Sequence, residues 1–355
     1  MIQQLLAKIL LSPFSLLYGI AIGIRNLMYE AGLLKSTRFN IPLISVGNLS
    51  IGGAGKTPHI EFLIEHLRPY INLATLSRGY KRKTKGFRLA HLHDNAMTIG
   101  DEPLQYRRKY RDIGVGVSES RTLAIPLILK HMPATQAVLL DDAFQHRAIT
   151  PGLNILLTTF EKPFTRDMLL PAGRLREYPD AYKRADIIVV TKCPPKVSDD
   201  ARLALIQEIN PLDHQKMYFT KYKYLTPYSF YNPRQQFHLD LSVDVILISA
   251  IANTSYLRQY LEGEVGSIHE MEYEDHHLFS ERDIEYLEQV FIHRDSSRKI
   301  ILTTEKDAMR LDLHRSLITK KQLPLFILPV KVEFLFNQKS EFLHDIQSFL
   351  LNFKV

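Results

Sequence analysis

Residues 41–67 read IPLISVGNLSIGGAGKTPHIEFLIEHL. An apolar run, IPLISV at 41–46, enters a glycine-dense loop at 47–58 and leaves it through PHIEFLIEHL, where Ile60, Leu63, Ile64 and Leu67 share one helical face. Strand, glycine loop and helix in that order predict a phosphate-binding turn. Amides of residues 52–57 can converge on a phosphate at the positive end of the helix, Lys56 can reach between β and γ oxygens, and Thr57 can ligate Mg²⁺. The candidate nucleotide contacts are Ser50, Ile51, Gly52, Gly53, Ala54, Gly55, Lys56 and Thr57. The GxxxxGK[ST] pattern asks for glycine where this chain has Ser50, but Gly52, Gly53 and Gly55 keep the turn permissive. Pro58 is tolerated because first-turn N–H groups have no helical partner.

Further buried-strand runs recur with helical stretches between them: AVLLD (137–141), ADIIVV (185–190), VDVILIS (243–249), KIILTT (299–304) and LFILPV (325–330). Short apolar runs alternating with helices indicate parallel sheets covered on both faces, so the fold class is α/β. The expected architecture is a P-loop NTPase-like α/β/α sandwich followed by a smaller α/β domain. Between them the Tyr-rich stretch from Met217 to Leu239, punctuated by Pro227 and Pro233, reads as an extended hairpin or linker. The resulting division is an N-terminal helix over 1–25, a kinase-like domain over 26–216, a linker over 217–240 and a C-terminal domain over 241–355.

At 355 residues, with 45% hydrophobic and 23% charged residues, the chain suits two soluble globular domains. The lone Cys193 allows no internal disulfide, and no HExxH or paired-cysteine spacing suggests zinc. A net charge of +7 favours anionic partners: nucleic acid, acidic headgroups or a phosphorylated substrate. The first 25 residues carry Lys8 and then an uncharged stretch from Ile9 to Ile24 before Arg25. That stretch reaches about 24 Å as a helix, short for a hydrocarbon slab of about 30 Å, and Pro13, Gly19 and Gly23 are expected to interrupt it. A helix lying on the inner leaflet and a first helix packed on the protein body fit it equally well.

AVLLDDAFQHR supplies a hydrophobic strand ending in Asp141 and Asp142, carboxylates placed to hold Mg²⁺ directly or through water. Asp pairs at strand ends are also common turn residues. Guanine-specific switches read their base with NKxD, whereas VVTKCPP has no Asp after Lys192, which counts against a GTPase.

Four more stretches stand out: SRGYKRKTKGFR (77–88), GDEPLQ (100–105), LPAGRLRE (170–177) and EDHHLFS (274–280). With the phosphate loop and DDAFQHR, and in this order through TTEKDAMRL at 303–311, the chain resembles the tetraacyldisaccharide 4'-kinase family. That family's loop also lacks the first glycine. Departures are Lys81 and Ala143 where glycine is usual, and Arg174 and Tyr178 where proline is frequent. The resemblance implies a kinase that moves the γ-phosphoryl of ATP, with Mg²⁺, to the 4'-hydroxyl of a tetraacylated glucosamine disaccharide 1-phosphate. It also implies a peripheral or monotopic place on the cytoplasmic face of the bacterial inner membrane, with no nucleic acid and no obligate protein partner.

On residues alone, Asp101 reads as a helix N-cap and His276 as a surface histidine. The resemblance implies instead that Asp101 takes the acceptor's proton, aided by His276 across an interdomain cleft, with His277 the less favoured neighbour and domain closure part of catalysis. Lys56 is a catalytic candidate beside them. Arg121 and Arg176 are candidates to neutralise charge on the transferred group, and Arg78, Arg176 and Glu177 are candidate acceptor contacts. The basic run around Lys81–Arg88, extended by YRRKYR at 106–111, suggests attraction to anionic membrane or to the acceptor's phosphate. Ser280 with Asp283, and Thr304 with Asp307, have capping-box spacing, so TTEKD reads as structural. Two other classes stay open: a nucleotide-dependent switch or metallochaperone without lipid acceptor, and a basic nucleic-acid-binding protein with Tyr80 and Phe87 among its cations.

Overall fold

The computed structural model describes residues 2–354, with side chains from Lys8 onward. The chain forms two compact units that interleave in sequence. The first comprises Met1–Arg78, Asp112–Tyr222 and Val332–Val355, and the second Gly79–Arg111 and Lys223–Lys331.

In the first unit the strand Leu43–Asn48 is buried along its whole length. It pairs in parallel with Ala137–Asp141 on one side and Leu153–Thr159 on the other. Beyond these, Leu73–Ser77 and Gly114–Val117 extend one flank, and Ile187–Thr191, Lys216–Tyr224 and Val330–Phe334 the other. The continuous apolar runs are what a sheet buried on both faces requires. The chain fills the first flank and then, between Ala137–Asp141 and Leu153–Thr159, changes to the opposite side of Leu43–Asn48. Such a topological switch places a ligand crevice at the carboxyl ends of the strands where the order reverses. Both the glycine loop and Asp141–Asp142 follow strands that end there.

The second unit carries a sheet in the order Ser267–Glu272, Asp244–Ser249, Lys299–Thr304, Leu325–Leu328 and Tyr228–Ser229. Its pairings are parallel except the last, which is antiparallel. Val245, Leu247, Ile300, Leu302 and Leu328 pack with Leu257 and Leu261 of the helix Ser255–Leu261 in one core.

The sequence boundary at 217–240 coincides with only one crossing between units, at Tyr222 and Lys223. The Tyr-rich stretch is no free linker. Tyr218, Phe219 and Thr220 are buried in a strand paired with Ile187–Thr191, and Tyr228–Ser229 closes the second sheet. Two further segments lie apart from their sequence neighbours. Gly79–Arg111 joins the second unit because its helix Asp101–Lys109 is tied to residues 305–312 by the ion pairs Lys109–Glu305, Lys306–Glu102, Arg310–Asp101 and Arg108–Asp312. Val332–Val355 returns to the first because Phe334 and Phe342 pack on Phe62 and Tyr218.

The N-terminal segment is one helix, Ile2–Glu30, running through Pro13, Gly19 and Gly23. At 29 residues it is about 43 Å long, so the expected interruption does not occur. Proline cannot serve the carbonyl four residues earlier, but the Ser12 hydroxyl donates to that Ile9 carbonyl at 2.8 Å and repairs the loss. Gly19 is needed for contact: a Cβ there would stand 2.2 Å from the Tyr178 hydroxyl. The helix docks through its small and polar side. The Ser15 hydroxyl donates to the Leu169 carbonyl and accepts from the Ala172 amide, Tyr18 donates to the Arg176 carbonyl, and Arg25 to that of Gln145. Its apolar side, with Leu10, Phe14, Leu16, Leu17, Ile20, Ile24 and Leu27, is exposed. The reading as a first helix packed on the protein body therefore holds for the docked face.

Candidate active site

The phosphate loop is shaped by its neighbours as much as by its glycines. Ser50 pairs in an antiparallel bridge with Leu175, while the Ile51 amide donates to the Arg174 carbonyl at 2.7 Å and the Arg174 guanidinium to the Ile51 carbonyl at 3.0 Å. Ser50 is not among the positive-φ residues, so this strand-like contact removes the need for a first glycine. Gly52 and Gly55 do adopt left-handed backbone, at φ of 105° and 87°. A Cβ on Gly55 would also lie 2.7 Å from the Tyr222 hydroxyl. The helix Lys56–Leu67 starts at Gly55 with no side-chain cap, so its leading N–H groups face the loop unpaired by a cap and suit an anion. Thr57 sits in that first turn. Thr191, ending its strand beside the loop, donates to the Ala54 carbonyl at 2.8 Å. The next residue, Lys192, is buried in left-handed backbone, and burial followed by the Arg174 charge pushes its ammonium down to about 8.

Asn48 is the hub of the charged groups around this loop. Lys56 Nζ donates to its Oδ1 at 2.9 Å, Arg176 Nη2 donates to the same oxygen at 2.6 Å and to the Asn48 carbonyl at 3.0 Å, and Gln145 donates to that carbonyl as well. Asp142 closes the group: Arg176 grips its carboxylate with both terminal nitrogens at 2.8 and 3.1 Å, and Lys56 stands 3.5 Å away. Burial works against its charge, but Lys56, Arg176 and Arg121 outweigh this and hold its carboxyl well below the usual carboxylate range. Arg121, buried at the start of the helix Arg121–His131, donates to the Asp141 and Asp142 carbonyls at 2.9 and 3.1 Å and fixes the strand end that carries both acids. Thus Lys56, Arg121, Arg176 and Asp142 are brought together with the loop, and Asp141 lies buried beside them. Arg78 is exposed just past the neighbouring strand Leu73–Ser77. Glu177 is fully buried; it accepts from Arg184 at 2.8 Å and from Asn26 at 3.3 Å, and so tethers the N-terminal helix.

His59 braces the loop from below, with Nδ1 2.8 Å from the Gly55 carbonyl and Nε2 3.1 Å from the Thr220 hydroxyl. Burial pushes this ring down to about 4, against the raising effect of the Gly55 hydrogen bond. Between 6.5 and about 4 the unfolded chain therefore binds a proton here that the folded chain does not, so stability falls as the pH drops through that window. We expect the wild type to lose about 2 kcal/mol more than His59→Gln between pH 7 and pH 5 in urea unfolding; equal losses would show that the ring carries no such linkage.

The second unit gathers a separate cluster. Asp101 is the first residue of the helix Asp101–Lys109, which follows Gly100, and its carboxylate does not cap that helix. Its Oδ2 lies 3.0 Å from His276 Nδ1 and accepts from Arg310 Nη1 at 2.8 Å; its Oδ1 accepts the Glu102 amide at 3.1 Å. The two residues expected to face each other across a cleft thus belong to one unit. His276 holds left-handed backbone, at φ 59°, with the Tyr80 ring edge-on at 4.8 Å. Lys81 Nζ donates to the Asp275 and His276 carbonyls at 3.2 Å. Lys81 itself has φ of 57°, the conformation for which glycine would be chosen at that position. His277 is bound elsewhere, 3.0 Å from Asp283, which completes the Ser280 capping box.

Lys306 and Arg310 are the residues that sequence reasoning missed. Thr304 does cap the helix Glu305–Leu311, accepting from the Asp307 amide at 3.1 Å, so the structural reading of TTEKD is right as far as it goes. Yet one turn apart on that helix, Lys306 Nζ lies 3.0 Å from His276 Nε2 and 2.9 Å from Glu102, and buried Arg310 bridges Asp101, Asp307 and the Ala250 carbonyl. The available signal was two cations at i and i+4 directly after a strand. Burial opposes the charge on Asp101, but the His276 hydrogen bond, Lys306, the Glu102 hydrogen bond and Arg310 together hold it ionised far below the ordinary range. Burial likewise opposes the Lys306 ammonium, and Glu102, Asp101 and Asp275 outweigh it and raise it above its usual value. Asp101, Glu102 and His276 have the spacing of metal ligands, but with Lys306 and Arg310 on their donor atoms they form an ion-pair network. Within the basic segment YRRKYR, Arg108 and Lys109 are spent internally on Asp312 and Glu305.

Comparison with known proteins identifies the family. The family model for Tetraacyldisaccharide-1-P 4'-kinase matches residues 7–350. A tetraacyldisaccharide 4'-kinase of Bacteroides fragilis is 40% identical over 339 residues, covering 94% of this chain and 90% of the relative. Its counterpart in Flavobacterium johnsoniae is 40% identical over 338 residues, covering 95% and 96%. Among solved structures, "apo" form LpxK from Aquifex aeolicus in complex with ATP superposes with a TM-score of 0.71 at 26% identity, over 97% of this chain and 99% of that one.

Proposed function

The chain belongs to the tetraacyldisaccharide-1-P 4'-kinase family and is an ATP-dependent kinase of lipid A biosynthesis, and from that premise we propose how its residues divide the reaction. The switch, metallochaperone and nucleic-acid readings give way to it. Lys56 and the amides of residues 52–57 hold the triphosphate of ATP. Thr57 with Asp141 and Asp142 would hold Mg²⁺; a hydroxyl and two carboxylates are the hard oxygen donors that ion takes. Bound there, the ion would neutralise charge on the β and γ oxygens. Arg176 and Arg121 keep Asp142 and its strand end aligned with Lys56, and their charge offsets what builds on the transferred group.

The acceptor is the 4'-hydroxyl of a tetraacylated glucosamine disaccharide 1-phosphate. Its oxygen forms the new bond to γ-phosphorus, the bond from that phosphorus to the β-bridging oxygen breaks, ADP leaves, and the hydroxyl proton passes to Asp101. A strongly ionised carboxylate is a weak base, but in a loose phosphoryl transition state the proton moves late and the base chiefly orients the hydroxyl. The observation that carries this assignment is the Asp101 carboxylate, buried and fixed by His276 and Arg310. Phosphorus NMR of the product, with the 4'-phosphate signal accumulating about 10²- to 10⁴-fold more slowly in Asp101→Ala, is its test.

The acceptor's acyl chains place the reaction at a bilayer, and the outward apolar face of Ile2–Glu30 supports a monotopic seat on the cytoplasmic side, where ATP is. Each apolar side chain buried in lipid is worth about 1.5–3 kcal/mol. Replacing Phe14, Leu17 and Ile24 by glutamate leaves the docked face of Ser15, Tyr18 and Gly19 untouched. This triple variant should sediment with anionic vesicles at least about 100-fold less well than the wild type. Unchanged sedimentation would remove the helix from membrane binding.

A further inference from the structure

We propose that Lys306 is a positioning residue of the phosphoryl transfer: its ammonium, 3.0 Å from Nε2, fixes His276 as the Nδ1–H tautomer and thereby leaves Asp101 Oδ1 to meet the acceptor hydroxyl. The inference rests on the reading of Asp101 as the base and deepens it. A neutral imidazole has one donor and one acceptor nitrogen, and an ammonium only donates. With Lys306 against Nε2, that nitrogen must present its lone pair, so the ring proton sits on Nδ1. There it points at Asp101 Oδ2, and a carboxylate only accepts. The same Oδ2 also takes Arg310 Nη1, so both of its lone-pair directions are occupied. Oδ1 accepts the Glu102 amide and, bonded to neither His276 nor Arg310, is the oxygen assigned to the incoming hydroxyl. The geometry thus separates the two oxygens of one carboxylate, one to be held and one to react.

The charged and titratable groups facing this imidazole come from each element around it: Asp101 and Glu102 from one helix, Lys306 from another, Tyr80 and Lys81 from the loop before them, and Asp275 from its own loop. Lys306 is the cation that touches a ring nitrogen. Without it, Nε2 looks toward Glu102 at 3.9 Å and Asp275 at 3.8 Å, and three carboxylates then favour a doubly protonated ring. An imidazolium still donates through Nδ1, but it adds a positive charge beside Asp101 and weakens the carboxylate as an acceptor for the substrate proton.

The test combines ¹⁵N NMR of histidine-labelled protein with kinetics. In the wild type near neutral pH, the His276 signals, assigned with His276→Gln, should show a protonated Nδ1 and a pyridine-like Nε2. In Lys306→Met both nitrogens should carry protons, and kcat should fall about 10- to 100-fold with KM for ATP within twofold. Lys306→Arg, which also only donates, should restore the wild-type tautomer and most of the rate. Should Lys306→Met fold poorly, Glu102→Gln with Lys306→Met removes both charges of the pair and is read in its place. An Nε2–H tautomer in the wild type, or a folded Lys306→Met with unchanged ring protonation and kcat within threefold, overturns the proposal. If Asp101→Ala is inactive while Lys306→Met is fully active, only the role of Lys306 fails and the base assignment stands.

Discussion

Asp101→Ala should lower kcat by about 10²- to 10⁴-fold, the range for losing a positioned general base, while the dissociation constant of ATP stays within about twofold. The separation follows from where the carboxylate is. It belongs to the second unit and bonds His276, Arg310 and Glu102, whereas the loop, Lys56 and Asp142 belong to the first. Because Asp101 is held ionised far below the usual carboxylate range, it stays a competent base down through mildly acidic pH, and the wild-type rate should show no acid limb from it above about pH 5. The substitution also has a structural cost. Arg310 keeps Asp307 and the Ala250 carbonyl but loses one buried partner, which can cost about 3 kcal/mol. Thermal unfolding of the variant, run beside the assay, separates this from the chemical loss: a protein folded at the assay temperature and nearly inactive supports the base, and one that is folded and active removes it.

Lys56→Met should weaken ATP binding at least about tenfold and lower kcat by a further 10²- to 10³-fold, as expected when a charge aimed at developing phosphate charge is lost. Methionine keeps the length of the stem, so the loop stays filled. Asn48 and Asp142 retain Arg176, whose guanidinium spans both, and the fold around the loop should survive. The two variants therefore fail differently: the first turns over slowly with ATP bound normally, the second both binds and turns over poorly. Measuring KM, kcat and stability for each checks that difference.

Much of this was legible in the chain. The apolar run before the glycines, the helical face of Ile60, Leu63, Ile64 and Leu67, and AVLLDD are local patterns, and all three are realised where they were read, with strand limits shifted by a residue or two. The capping box at Ser280 is equally local. What escaped depends on distance in the chain. Gly79–Arg111 lies in the second unit because of ion pairs to residues about 200 positions later, which no periodicity announces. Lys306 and Arg310 sit in a helix whose cap explained its sequence well enough to hide them. Asn48 falls in the glycine-dense loop of the sequence reading, yet it ends the strand Leu43–Asn48 and gathers Lys56, Arg176 and Gln145. Pro13 was read as a break because the remedy, a serine hydroxyl one residue before it, is a matter of rotamer rather than pattern. Glu177 illustrates the opposite error: it stands in a motif that carries function, but its own carboxylate is inside the protein, holding Arg184 and Asn26.

The claim on which the rest depends is that nucleotide grip and proton removal reside in different groups of residues. Calorimetric titration of ATP with Mg²⁺ into Asp101→Ala and Lys56→Met, side by side with the wild type, tests it most directly. Binding heat and affinity near wild type for the first, with affinity reduced at least about tenfold for the second, is the expected result. An Asp101 variant that no longer binds ATP, or a Lys56 variant that binds it as tightly as the wild type, would contradict it.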